Sequence, residues 1–206
     1  MSEIKVNKIS PVSDSGTITL GDSGDTLTVP SGATIANSGT ATGFGGGNLG
    51  GVWHAVKTDT FADSTSQTWV DITGLSVTTG TLASSSSKIL INVGLYGTCA
   101  HYETWKVVDG SGNDITNFIG DTAGSRIRCG GTNFYVADST DWRNYTIVGS
   151  NGMMLDSPGV TTAQTYKVQC YGYNTTTFNL NREYSDGDGV ATFRTVSSIT
   201  AMEILA

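Results

Sequence analysis

KILINVGLYG at residues 88–97 is the strongest strand signal in the chain. Apolar side chains occupy both odd and even positions of this stretch, among them Ile89, Leu90 and Ile91. A run that is apolar on both faces is typical of a β-strand that is buried on two sides. If both faces are buried, we expect Leu90→Ala and Ile91→Ala each to destabilise the fold by about 2–5 kcal/mol.

Shorter segments of alternating apolar residues lie on both sides of this stretch, from residue 52 to the C-terminus. The predicted strands are residues 53–58, 68–72, 75–82, 88–97, 104–109, 115–120, 126–129, 145–148, 165–173, 177–181, 191–195 and 198–205. No window has the apolar period of a helix worth predicting. Many short strands joined by turn residues predict an all-β fold, a β-sandwich of jelly-roll type.

The first 42 residues carry only three-residue strands, each closed by Gly, Ser or Asp. A strand this short buries about two side chains, roughly 3–6 kcal/mol at best. That gain does not offset a backbone entropy of roughly 1–2 kcal/mol per ordered residue. We therefore expect these strands to pair with copies from other chains. The residues predicted to form this contact are Ile18, Leu20, Leu27, Val29, Ile35 and Phe44.

The chain is predicted to have three parts. Residues 1–42 form an oligomerisation and docking segment, residues 43–51 (GFGGGNLGG) a glycine-rich joint, and residues 52–206 the β-sandwich head. The glycines either make a flexible linker or let backbones of neighbouring chains approach closely around an axis. Phe44 favours the packed joint, because an exposed Phe has no role in a free linker. We expect a homotrimer with intertwined N-terminal segments.

The N-terminal segment also resembles a known family. The sequence SEIKVNKISP is followed by GTITLGDSGDTLTVPSGATIANSGTATGFGGG. Residues 2–47 resemble the N-terminal segment of tail-fibre-like structural proteins of tailed bacteriophages, especially marine phages. Residues 53–206 resemble the β-sandwich heads of such proteins more loosely. The resemblance implies a trimeric component of the virion and transfers no catalytic motif.

The charge of the chain restricts its partners and its location. It has 11 basic and 18 acidic residues, a net charge of −7, and its basic residues are scattered, which argues against binding nucleic acid. No apolar run reaches the roughly 20 residues that span a bilayer, and the N-terminus lacks a signal-peptide core. We expect synthesis in the host cytoplasm, incorporation into the virion and no membrane insertion. Cys99, Cys129 and Cys170 are expected to be reduced and mostly buried.

Candidate catalytic and metal sites are weak, and we predict neither an enzyme nor a cofactor. Cys99 and His101 share one face of a strand, but Cβ atoms two residues apart are roughly 6–7 Å from each other, too far for a thiol–imidazole hydrogen bond. The acidic loop at residues 184–189 lacks the further ligands of a calcium loop and is interpreted as a hairpin turn. The remaining alternative is an ion held by three copies of His101 on a trimer axis.

A polar loop near residue 142 is the predicted ligand site. Sugars stack on aromatic faces while charged and amide groups bond to their hydroxyls. The candidate residues are Asp141, Trp142, Arg143, Asn144 and Tyr145. The alternative is that Trp142 folds back over the end of the sandwich.

Two other aromatic pairs alternate as strand residues do. They are Tyr102 with Trp105, and Tyr171 with Tyr173. Alternation on a strand favours a place in the core or in a subunit interface.

Three functions remain open. The favoured function is a short trimeric tail fibre, a receptor-binding protein that attaches to a glycan or protein of the host surface. The alternatives are a capsid decoration or head-fibre protein and a lectin-like adhesin unrelated to virions, against which the missing signal peptide weighs. The expected partners are the chain itself, other virion proteins of tail or capsid, and the host receptor. The net charge excludes polyanionic ligands and leaves a neutral or amino-bearing glycan, or a protein.

Overall fold

The computed structural model describes residues 9, 17–34, 36, 49–99, 101–132, 145–174 and 177–205. The chain divides into two units, Met1–Gly45 and Gly46–Ala206. The boundary between them falls inside the predicted glycine-rich joint.

The second unit is built from β-strands, which confirms the all-β prediction. The strands are β1 (Leu49–Lys57), β2 (Phe61–Asp63), β3 (Trp69–Thr78), β4 (Lys88–Thr98), β5 (Glu103–Asp109), β6 (Gly131–Thr132), β7 (Val148–Asp156), β8 (Thr165–Gly172), β9 (Phe178–Leu180) and β10 (Ser197–Ile204). They form a six-stranded sheet, β1-β10-β4-β9-β2 with β7 also on β4, and a four-stranded sheet, β3-β8-β5-β6. Every ladder between them is antiparallel.

The strand pairs are nested. β1 pairs with β10, β2 with β9, β3 with β8, β4 with β7 and β5 with β6. The first strand thus pairs with the last, the second with the last but one, and so on to the two central strands, β5 and β6. The chain follows the path of one long hairpin that folds over itself, with its turn between β5 and β6.

Both sheets bury their inner faces in one core. Ile91 and Leu95 of β4 and Trp105 of β5 are fully buried, and the core cluster takes residues from both sheets. The indole Nε1–H of Trp105 donates a hydrogen bond of 2.8 Å to Ser150 Oγ, which lies on β7 of the opposite sheet. The two sheets thus pack face to face, as in a β-sandwich.

The two faces of β4 are not equally buried in the single chain. Ile89 and Ile91 have no exposed surface, whereas Leu90 between them is half-buried. Side chains of a strand alternate between its faces, so Leu90 points away from the core. The condition for equal costs of Leu90→Ala and Ile91→Ala, burial of both faces of β4, is therefore not met in the single chain.

Three predicted strands are absent from the described head. Residues 115–120 instead contain a 3-10 helix, Thr116–Phe118, which buries Ile115 and Phe118 on one side because a 3-10 turn takes about three residues. Residues 126–129 and 191–195 are irregular, with only an isolated bridge at Arg194 in the second range. In these ranges single apolar residues alternate with polar ones, so the sequence has the pattern of a strand although no strand forms there.

Other strand predictions differ in length. The predicted strands at 68–72 and 75–82 are one strand, β3, with a register shift between Asp71 and Ser76. The strand predicted at 145–148 is β7, which begins only at Val148 and runs to Asp156. Every residue of β7 pairs with a residue of β4. Its sequence, VGSNGMMLD, looks like a turn because Asn and Gly are turn residues.

The described part of the first unit forms turns. Residues 17–34 contain no assigned strand, and backbone hydrogen bonds close tight turns at residues 22–25 and 30–33. The apolar side chains of this part, between 39% and 70% exposed, are Ile18, Leu20, Leu27 and Val29. Within residues 17–34 the predicted short strands are thus not formed in the single chain. Ile35 and Phe44 lie outside the described residues.

The end of the predicted joint is packed. β1 begins at Leu49, so residues 49–51 belong to the strand. A Cβ on Gly51 would lie 2.5 Å from the Trp53 ring, and one on Gly50 would overlap the carboxylate of Glu203. A larger residue at either position would force the neighbouring side chains to shift, because they occupy the space of a Cβ.

Candidate functional site

A cleft of about 690 Å³ opens where β5 begins and β8 ends. Its described lining consists of Tyr102, Glu103, Thr104, Ile127, Cys129, Thr132, Tyr171 and Tyr173. We call it the aromatic cleft. Clefts lined by aromatic and apolar groups with a few polar ones are the usual form of a small-ligand site.

Strand register places the cleft on the outer face of the four-stranded sheet. Thr104 pairs with Tyr171 on one side and with Thr132 on the other. Because Trp105 points into the core, its neighbour Thr104 and the residues paired with it face outward. Trp69 of β3 pairs with Tyr171 and continues the row, with the two ring centroids 5.2 Å apart.

Several side chains of the cleft are open to ligands. Tyr102 is 75% exposed, Tyr173 54% and Ile127 47%. The backbone N–H of Tyr173 donates to the carbonyl oxygen of Tyr102 at 3.2 Å, which joins the end of β8 to the start of β5. Exposed tyrosines in a concave surface offer faces on which a sugar ring can stack.

Polar groups lie beside this aromatic row. The Lys106 ammonium is 4.3 Å from the centroid of the Trp69 ring. Asp71 accepts hydrogen bonds from Lys167 at 2.8 Å and from Gln169 at 2.7 Å. Partial burial opposes ionisation of Asp71, but these two hydrogen bonds outweigh it and lower the pKa of the carboxyl. The outer face therefore combines stacking surfaces with fixed charges of both signs.

A buried carboxyl lies directly behind the cleft. Glu103 is 3% exposed, and within the described part of the chain neither of its carboxylate oxygens has a hydrogen-bond partner. Burial, together with the negative charge of Asp63, raises the pKa of Glu103 to about 9. The side chain is therefore protonated at neutral pH and adds no charge to this end of the sandwich.

Cys99 does not form a dyad with His101. Its buried thiol donates to the backbone carbonyl of His101 at 2.8 Å. Burial raises the pKa of this thiol and likewise that of Cys170. All three cysteines are free; Cys99 and Cys170 are buried as predicted, whereas Cys129 is half-buried. Within the described ranges no three His, Cys, Asp or Glu side chains are grouped to hold a metal ion.

The acidic loop at residues 184–189 is held by arginines. The carboxylate of Asp186 forms ion pairs with Arg182 at 2.9 Å and with Arg194. Its oxygens are thus engaged by guanidinium groups rather than arranged around a cation.

The predicted ligand loop is described only at its end. Asp141, Trp142, Arg143 and Asn144 lie outside the described residues. Tyr145, 53% exposed, lies shortly before β7 and does not belong to the described lining of the aromatic cleft. At the other end of this segment, residue 133 directly follows Thr132, which does line the cleft.

Sequence reasoning missed the aromatic cleft. For Tyr171 and Tyr173 the core alternative is wrong, because both line the cleft on the outer face of the chain. Their place in a subunit interface stays a prediction. Of the two aromatic pairs, Trp105 is the residue that lies in the core. The cleft joins residues from four separate segments, and only the strand register brings them together.

No protein-family model matches the chain, and neither does any curated protein. The resemblance of residues 2–47 to tail-fibre-like proteins stays a prediction. In the part of the chain that the structure describes, no helix is long and apolar enough to cross a membrane.

Proposed function

We propose that this chain is a structural protein of a bacteriophage virion, a short trimeric tail fibre whose head attaches to the host surface. The aromatic cleft is the observation that carries the attachment role. It has the size, exposure and chemistry of a site for a sugar ring. The resemblance of residues 2–47 is the support for a place in the virion.

The nested strand pairs support a jelly roll as the fold of the head. A jelly roll is a double-sheet fold of eight strands. Without the short β2 and β9, the eight remaining strands divide into β1-β10-β4-β7 and β3-β8-β5-β6. A long hairpin wrapped around a core produces this division, because successive paired strands are assigned alternately to the two sheets.

The exposed N-terminal side chains support the trimer. Leu20 and Leu27 are 63% and 70% exposed in the single chain. Pairing this segment with the same segment of two other copies would bury these side chains and complete the hydrogen bonding of the short strands. The segment then joins the heads and docks them to other virion proteins.

The net charge of the chain restricts the class of ligand that the cleft can bind. With a net charge of −7, the chain disfavours acidic polysaccharides and nucleic acid. A neutral or amino-bearing glycan fits the tyrosines of the cleft. A single site of this kind binds at roughly millimolar Kd, and several copies on one particle raise the avidity by orders of magnitude.

A glycan microarray probed with the full-length chain tests the attachment role. Tyr173→Ala should abolish retention on neutral or amino-bearing glycans without changing the melting temperature. Phe193→Ala, which removes an aromatic side chain of similar exposure (58% against 54%) away from the cleft, should retain binding. Equal retention by both variants, or retention only on acidic glycans, would contradict this role.

Trp142→Ala is the corresponding test of the predicted ligand loop. Loss of glycan retention at an unchanged melting temperature supports Trp142 as a ligand contact. If the variant unfolds early and binds in proportion to its folded fraction, Trp142 is a packing residue.

Capsid decoration is the second candidate. β1 of the head begins at Leu49, and a single β-sandwich of this size suits a capsid site as well. Micrographs of particles labelled against this chain, together with its copy number, distinguish the two: tail sites carry a handful of trimers, whereas decoration follows the capsid lattice. Particles assembled with a chain that lacks residues 1–45 should incorporate less of it; normal incorporation contradicts the docking role.

A further inference from the structure

The outer face of the six-stranded sheet carries a row of apolar side chains. Val52 of β1 pairs with Met202 of β10, Met202 with Leu90 of β4, and Leu90 with Leu155 of β7. These residues alternate with core residues such as Ile91, so they point outward. Val52 is 53% and Leu155 42% exposed, while the two central residues are half-buried.

The neighbouring row extends this surface without adding an acid. His54, Thr200, Asn92 and Met153 follow one another across the same four strands, and Met153 is 59% exposed. His54 and Thr200 satisfy each other through a 2.7 Å hydrogen bond between Nδ1 and Oγ1. The apolar face, as we call it, consists of Val52, Leu90, Met153, Leu155 and Met202.

Its lack of charge sets this surface apart from the rest of the chain. The chain has 18 acidic residues, yet none stands at the outward positions of β1, β10, β4 and β7 within the described residues. The charged residue there is Lys88, at the end of β4. Exposed apolar patches bordered by polar groups mark contacts with other molecules.

We propose that the apolar face packs against a second copy of this chain. Copies that each carry a net charge of −7 repel one another, and a contact between two uncharged faces keeps their carboxylates apart. An acidic or basic partner would leave its charges facing apolar side chains. The face is therefore best complemented by another uncharged apolar face, which every copy of the chain provides.

The size of the face indicates a contact between tethered copies. The whole outer face of these four strands, polar positions included, covers about 500 Å² per copy, since the strands lie about 4.8 Å apart and run over roughly eight residues of 3.3 Å each. Two copies together present about 1,000 Å². That is the lower limit of a stable interface. The N-terminal segment, which leads into β1 of this sheet, would raise the effective concentration of neighbouring heads. The inference needs self-association but neither a ligand nor a place in the virion.

Hydroxyl-radical footprinting of the full-length chain, combined with light scattering, tests the proposal. Met153 should be protected at concentrations where the scattering mass shows assembled copies and reactive at dilutions where the mass is that of a monomer. Tyr102, 75% exposed and part of the aromatic cleft, should react equally in both. Val52→Lys should restore the reactivity of Met153 at high concentration.

The matched control is Ser76→Lys, which adds the same charge at an exposed position on the outer face of the other sheet. This variant should keep the protection of Met153. Three results overturn the proposal: a reactive Met153 in the assembled chain, a monomeric mass at all concentrations, or protection of Met153 in the monomer, which would mean that a segment of the same chain covers the face. If Met153 is protected as expected but the unchanged chain binds no glycan, the attachment role is refuted and the proposed contact between copies stands.

Discussion

The two sheets of the head share one core but present opposite outer surfaces. The outer face of the four-stranded sheet carries the half-buried rings of Trp69 and Tyr171 among ion-paired side chains such as Asp71 and Lys167. The outer face of the six-stranded sheet exposes Val52 and Leu155 and has no acid at the outward positions of the described strands β1, β10, β4 and β7. Fixed charges and open aromatic rings suit a small polar ligand, whereas an uncharged flat surface suits another protein surface. Strand alternation thus gives one small domain two outer faces of different chemistry.

The largest expected effect is on the free energy of unfolding, which should fall more for a substitution on the inner face of β4 than for one on its outer face. Ile91→Ala removes a fully buried side chain and should lower the free energy of unfolding by about 2–5 kcal/mol. Leu90→Ala, at a half-buried outward position, should cost clearly less in the dilute chain. Urea denaturation of both variants measures the difference. Equal costs under monomeric conditions would mean that the outer face is covered within the chain.

A pH titration of stability tests the buried acid behind the aromatic cleft. The pKa of Glu103 is raised to about 9, so the folded chain keeps a proton that the unfolded chain releases above its ordinary pKa of 4.5. Stability contributed by the protonated form is therefore complete below pH 4.5 and is lost as the pH rises towards 9. The slope is on the order of 1 kcal/mol per pH unit.

Glu103→Gln should flatten this pH dependence and raise the melting temperature at pH 8 relative to the unchanged chain. The groups that face Glu103 are Asp63, Cys99 and Cys170, and burial keeps both thiols neutral over this range. Melting curves from pH 5 to about 8 provide the measurement. An unaltered slope in the variant would show that Glu103 is not the titrating group.

One alanine substitution on each outer face compares how much the two faces contribute to the stability of the monomer. Trp69→Ala loses the contact with Tyr171 and the ammonium of Lys106 over its ring, so we expect a cost of about 1–3 kcal/mol. Met153→Ala, on the apolar face, should change the stability of the monomer by less than about 0.5 kcal/mol. Chemical denaturation of both variants at low concentration compares them; a costly Met153→Ala would contradict its exposure.

Strongly apolar strands could be predicted from the sequence. Strands that form only because another strand pairs with them could not. β4 begins at the predicted residue, Lys88, because its apolar run needs no context. β7 contains Asn151 and Gly152 and is a strand because β4 pairs with it along its whole length. The cleft was missed for the same reason, since Trp69 and Tyr171 meet only through the pairing of β3 with β8.

The smallest expected effect concerns the ion pair between Asp71 and Lys167. Asp71→Asn should cost between about 0 and 1 kcal/mol, because both side chains are partly solvent-exposed. Since hydrogen bonds lower the pKa of Asp71, this contribution is present at neutral pH and is lost as the pH falls below the ordinary value of 3.8. Added salt should reduce it further, which thermal melts at two salt concentrations can measure. A larger cost would indicate that Asp71 also orders the aromatic row.

The nested pairing also determines when the head can fold. β10, residues Ser197–Ile204, lies between β1 and β4, so the six-stranded sheet has a gap between these two strands until the β10 segment has been synthesised. Pairs between distant parts of a chain form slowly, because a long loop must close before any contact stabilises it. Nascent chains therefore carry unpaired edges on β1 and β4 until β10 is available, and the six-stranded sheet is completed only then. A chain shortened by its final ten residues would lose the middle of a sheet rather than a terminus.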